Sequence, residues 1–176
     1  MNLNILFKPQ DKLDEEIELK HGLQGQDLIK KKTVAMICEV YETVNLARFF
    51  KFWSTDQKPR TKALRKPTMN EEDKEYYNPL LEEYVDIVHF GISIANDLGY
   101  HSHAYDDPGH YDLNDLTIGL TNAITLIPIV RTNEHMATVL NLLIRLGYQL
   151  GFEEKDVIDA YFEKNKENHA RQANNY

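Results

Sequence analysis

The sequence is short of the residues that cross-link or break a chain. Of its 176 residues one is cysteine, eight are glycine and six are proline. A lone Cys38 excludes an internal disulfide framework and suits a reducing compartment, so the cytoplasm is the expected location. No run approaches the ~20 apolar residues that a membrane-spanning helix needs, and Met1 to Gln10 turns polar too quickly for a signal peptide. No membrane partner is expected. An excess of base over acid is missing as well: 20 Lys and Arg stand against 28 Asp and Glu, a net charge of −8. That argues against a coat for a nucleic-acid polymer, which works through phosphate contacts by basic side chains.

What is present is ordinary globular composition, 42 % hydrophobic and 27 % charged, in a chain of 20.5 kDa. This length suits one domain, 1–176, because domains usually run to ~100–200 residues. Charge is unevenly spread. Lys51, Lys58, Arg60, Lys62, Arg65 and Lys66 face only Asp56 between positions 51 and 66, giving +5 there and −13 elsewhere. Such a segment could take a small anionic ligand or form a solvated loop.

Helical spacing dominates. From Asp27 to Trp53 there is no Pro or Gly, and Val34, Ala35, Ile37, Cys38, Tyr41, Val44, Ala47 and Phe50 recur at the helical period, so one long helix is expected with Cys38 in the core. Asn78 before Pro79 predicts a capped helix start, and Gly99 a left-handed stop after about Leu98. Further helices are expected from Asn114 to near Pro128, from Thr132 to Leu150, from Glu153 to His169, and earlier over Lys12 to Lys20. Alternating strand patterns are not evident. The expected fold is an all-α bundle of about five to seven helices, with long loops at 54–77 and 100–113.

Two pairs of carboxylates stand out. Within Thr33 to Ala47 the only charged side chains are Glu39 and Glu42, at i and i+3, and the Pro79 helix repeats this with Glu83 and Asp86 among Tyr84, Val85, Ile87, Val88 and Phe90. Each pair shares a helix face. A helix apolar around most of its circumference is normally buried there, and ionised carboxylates inside it need pairing, protons or metal. All-oxygen donors favour Mg²⁺ or Mn²⁺ over zinc, and Mg²⁺ commonly takes its remaining ligands from substrate phosphates. One such pair is common on exposed helices; two in apolar helices are not. A ferritin-like di-iron site would need Glu-x-x-His, which is missing, although His89 at i+3 from Asp86 could join the site or simply pack.

His101, His103 and His110 share a loop with Asp106, Asp107 and Asp112, but without cysteine or regular spacing a solvated loop explains them better than zinc does. Near the C-terminus Tyr161, Lys164, Asn168 and Arg171 fall at spacings of 3, 4 and 3, a polar stripe that suits a polyphosphate with a sugar hydroxyl, or an ordinary surface helix.

The segments AMICEVYETVNLARFFKFW, NPLLEEYVDIVHFGISIANDLG and YFEKNKENHARQ, with LFKPQDKLDEEI before them, resemble in this order the dimeric all-α dUTPases, a branch of the all-α NTP pyrophosphatases. The resemblance runs from Leu6 to Gln172. It implies hydrolysis of dUTP, and in some members dUDP, by a helical homodimer, with Mg²⁺ (two ions per site) held by Glu39, Glu42, Glu83 and Asp86. Of these carboxylates, Glu39 or Glu42 is expected to take the proton of the attacking water. Lys164, Asn168 and Arg171, with Lys51 and Tyr161, would serve phosphates and sugar, while Gln10, Trp53 and Phe90 would surround the base. Many members carry Asn four residues after the Gln, where this chain has Asp14. An ionised Asp accepts hydrogen bonds only, so it could receive the uracil N3–H or the cytosine amine. A dCTPase or a broad MazG-like pyrophosphatase is the alternative within enzymes; a helical interaction module is the alternative outside them.

Overall fold

The computed structural model describes residues 1–105 and 109–174. Six helices carry the fold: α1 (Phe7–His21), α2 (Ile29–Ala47), α3 (Pro79–Asp97), α4 (Leu113–Leu126), α5 (Asn133–Gln149) and α6 (Glu154–Ala173). Their ends follow local chemistry. Asn78 accepts from the Leu81 N–H with Pro79 in the first turn of α3, Asp112 accepts from the N–H groups of Asn114 and Asp115 at α4, and Thr132 from that of His135 at α5. Beyond α3 the chain turns at Gly99, whose φ of 74° is costly for any side chain with a Cβ.

Helix α3 is the axis of the molecule, and α1, α2, α5 and α6 all pack on it. Its buried set, including Leu80, Tyr84, Val85, Ile87, Val88, Ile92 and Ala95, covers most of its circumference, as its apolar sequence requires. Met36 and Val40 of α2, Leu140 and Leu143 of α5, and Val157 and Tyr161 of α6 meet it in one continuous core, to which α4 adds Leu120 and Ile124. No helix among the described residues is long and apolar enough to cross a membrane.

Three expectations are corrected. Helix α2 ends at Ala47, not Trp53, because Arg48 adopts φ 65° and its guanidinium bonds the Asp56 carbonyl, while Phe49 and Phe50 turn back onto the core. A tertiary anchor thus overrides an unbroken helical pattern. The 54–77 segment is not wholly irregular: β1 (Ala63–Leu64) pairs antiparallel with β2 (Tyr76–Tyr77), stiffened by Lys62 over the Tyr76 ring and Arg65 over that of Tyr77. Cys38 is exposed, and with Val34 and Tyr41, 62 % and 54 % exposed, it leaves one apolar face of α2 uncovered.

Candidate active site

Helices α2 and α3 lie side by side, which brings Glu39 opposite Glu83 and Asp86. One oxygen from each of these three carboxylates lies within 4.8 Å of the others, and all three side chains are half-buried. Burial is the main cause that raises all three carboxyl groups above their usual range. Mutual repulsion adds to this for Glu39, whose pKa is pushed up from 4.5 to about 7 by burial and then by Asp86, Glu42 and Glu83. Glu42 is exposed on the outer side of α2, so it acts on Glu39 and Glu83 through its charge and is not one of the converging oxygens.

A group of hard oxygen donors short of positive charge fits a divalent cation such as Mg²⁺ or Mn²⁺. Lys164 is drawn in by the protein itself, with its Nζ 2.7 Å from Asp86 and 3.2 Å from Glu82. Burial lowers the Lys164 pKa, but these two carboxylates outweigh it and the net shift is upward, so the ammonium stays charged.

Next to the carboxylates lies a cavity of about 480 Å³ between α1, α2, α3 and α6, reached by Glu39 and Asp86 at one side and by Gln10, Asp14, Phe90 and Ser93 at the other. Along α3 the order is Asp86, then Phe90, then Ser93, so successive turns of one helix run from the acidic cluster to the amides and carboxylate of α1. Gln10 is buried and donates from Nε2 to Asp14 at 2.9 Å. Asp14 has its pKa raised by burial, opposed chiefly by Lys32 at 3.7 Å. Asn168 and Arg171 line the same cavity from α6. The stripe therefore holds for Lys164, Asn168 and Arg171, at spacings of 4 and 3.

Other expected residues fall elsewhere. Tyr161 is buried beneath the stripe and its hydroxyl donates to Gln10 Oε1 at 2.8 Å, because the α6 face that carries it packs on α1 and α3. This places it beneath Gln10, out of solvent reach. Trp53, 65 % exposed, packs edge-on against Phe50 and Phe52 beyond the end of α2, and Lys51 bonds Asn45. Neither lines the cavity of its own chain. Of the basic segment, Arg60 pairs with Asp56, and Arg65 approaches Glu82 at 3.9 Å. The histidine loop is structural where described: His103 is held by Tyr100 and Asn141, and Asp112 caps α4. Asp106 and Asp107 lie outside the described residues.

One residue of the cavity wall, Lys32, is absent from the sequence reading; His89, which the sequence allows either to join the site or to pack, is packed at the cavity wall. Lys32 sits seven residues before Glu39, a spacing that returns to the same helix face, and this was a usable signal. His89 stacks on Tyr161 with ring centroids 4.0 Å apart and bonds Gln10 Oε1 through Nδ1 at 2.7 Å. Burial pushes its pKa down to about 3, so it is neutral. Nothing in the sequence could show that α1 and α6 close over it.

An all-α bundle with a carboxylate triad at the mouth of a cavity is the setting of a helical hydrolase that works on phosphate anhydrides. The family model for dUTPase matches residues 2–176. The chain belongs to the dUTPase family and is a hydrolase of dUTP, as the resemblance implied. No curated protein matches it.

Proposed function

We propose that the chain acts as one domain, 1–176, that hydrolyses dUTP to dUMP and pyrophosphate with Mg²⁺ at Glu39, Glu83 and Asp86. The convergence of these three carboxylates at the edge of the Gln10–Asp14 cavity is the observation that carries the reading. When bound, the metal supplies charge neutralisation at the phosphates and a lower pKa for bound water. The chain supplies the rest. Glu39, the α2 carboxylate nearest the cavity, takes the proton of the attacking water, and Glu42, outside the triad, tunes it by charge. Lys164, Asn168 and Arg171 hold phosphates and sugar along one stripe, and Lys164 leaves Asp86 for the developing charge on the pyrophosphate. The base lies between Phe90 and the Gln10–Asp14 pair, where the amide donates and the carboxylate accepts.

Incubating the protein with dUTP, dCTP, dTTP, UTP or dUDP, with and without Mg²⁺, and following release of pyrophosphate, or of phosphate from dUDP, tests this. Metal-dependent turnover greatest with dUTP is expected. Turnover greatest with dCTP would shift the substrate to cytosine, the base whose amine Asp14 could also accept; no turnover of any nucleotide would end the reading.

The exposed apolar face of α2 bears on the homodimer. Val34, Cys38 and Tyr41 stand at i, i+4 and i+7, and α4, packed beside α2, leaves Ile118 and Leu126 uncovered. Patches of this kind mark interfaces. A second copy covering it would set Trp53 and Lys51, which follow α2, at the boundary between the two chains. Light scattering should give twice 20.5 kDa for the protein and the monomer mass for Tyr41→Glu; a monomeric wild type refutes the dimer.

A further inference from the structure

We infer that Tyr161 is a positioning residue that fixes which end of the Gln10 amide faces the cavity, and with it the pyrimidine edge this pocket accepts. The inference rests on the reading above that Gln10 meets the base.

The argument is one of donors and acceptors. A glutamine amide has one oxygen with two lone pairs and one nitrogen with two hydrogens. Three helices meet at Gln10. From α6 the Tyr161 hydroxyl reaches Oε1 at 2.8 Å, whereas the other acceptor in its range, the Leu6 carbonyl, is at 3.4 Å. From α3 His89 Nδ1 reaches the same oxygen at 2.7 Å. From within α1 Asp14 Oδ1, an acceptor, stands 2.9 Å from Nε2. A carboxylate can only be met by the nitrogen, so the oxygen points to the phenol and imidazole, and a neutral His89 carries its proton on Nδ1. Both lone pairs of Oε1 are then taken. What remains for a ligand is one N–H of Gln10.

The three residues around Oε1 are buried: Gln10 is 3 % exposed, Tyr161 0 % and His89 6 %. An amide turned by half a revolution would set its oxygen against the Asp14 carboxylate and its N–H groups against two donors. In a buried site that arrangement is excluded more strongly than at a surface. The cavity therefore shows the base a donor from Gln10 beside an acceptor from Asp14, and no mixture of the two. Tyr161 does not touch the substrate, and its hydroxyl reaches the base through Gln10.

Tyr161→Phe tests this, since it keeps the ring on His89 and deletes only the hydroxyl. With one donor gone, the turned amide opposes only His89 and Asp14, and its population rises. The expected result is a KM for dUTP raised about tenfold with kcat within about threefold of wild type, and a ratio of kcat/KM between dUTP and dCTP that falls about tenfold towards unity. A variant that melts like the wild type and keeps both KM and that ratio within about twofold overturns the inference. Equal losses on both nucleotides, or a fall in kcat at constant KM, overturn it too, because neither follows from a freed amide. Should Tyr161→Phe fail to fold, His89→Phe removes the other donor under the same criteria. A wild type that turns over neither nucleotide defeats the proposed function instead.

Discussion

Glu39→Gln is expected to lower kcat/KM for dUTP by about a thousandfold while the helical fold is retained. The substitution turns one of three converging carboxylates into a neutral amide, and a ligand that stabilises transition-state charge by several kcal/mol, ~4 kcal/mol here, corresponds to that factor. It also removes the group nearest the cavity that can take a proton. Steady-state pyrophosphate release measures the loss, and a variant within about tenfold of wild type would remove Glu39 from the chemistry.

The same variant separates the cost of the cluster from its use. Without metal, the Glu39 pKa is about 7 in the folded chain against an ordinary 4.5. Below pH 4.5 the carboxyl is protonated in both folded and unfolded forms and costs nothing. Between 4.5 and about 7 the unfolded chain gives up the proton first, so stability falls as pH rises, and the penalty is complete above pH 7. Glu39→Gln, neutral throughout, should therefore melt higher than wild type at pH 8 in a metal chelator and draw level near pH 4.5. Added Mg²⁺ should raise the wild-type midpoint and leave that of the variant nearly unmoved. A variant that melts lower than wild type at pH 8 without metal would mean that the carboxylates do not repel one another.

The largest structural effect is expected in the core between α3 and α5, at Gly147→Ala. A methyl group at position 147 of α5 would overlap the Tyr84 hydroxyl oxygen and stand 2.6 Å from its Cζ, with Met1 Cε at 3.1 Å. Tyr84 cannot yield. Its ring is fully buried on α3, packs against Phe152, and donates its hydroxyl to the Leu143 carbonyl at 3.1 Å. Overpacking of this severity costs about 3 kcal/mol, or ~10 °C in melting temperature for a chain of this size. Thermal melts followed by circular dichroism measure it, and Tyr84→Phe in the same chain should recover only part, because the ring carbon remains in the way. A fall of under about 2 °C would mean that α5 moves freely against α3, contrary to their shared core.

Much of this protein was written along the chain, where residues act on near neighbours. The Asn78–Pro79 start of α3, the turn at Gly99, and the pairing of Glu83 with Asp86 on one face depend on backbone chemistry over four or five positions, and each is found where the spacing puts it. The all-α class follows for the same reason. Contacts between distant segments were not written there. That α2 would stop at Ala47 depended on a bond from Arg48 to Asp56, and that Glu42 would face solvent while Glu39 faced the cavity depended on how α2 turns against α3.

The role of Tyr161 shows the division most clearly. Its sequence placed it on a stripe with Lys164, Asn168 and Arg171, yet helical spacing fixes only which residues share a face, not what that face meets. A stripe along α6 is wide enough for one edge to be buried on α1 and α3 while the other opens to the cavity. The sequence by itself determined that the chain is helical and carries paired carboxylates in apolar surroundings. Tertiary packing decided which three of them converge, and which donors saturate Gln10, because burial and hydrogen-bond pairing are settled between helices rather than within one.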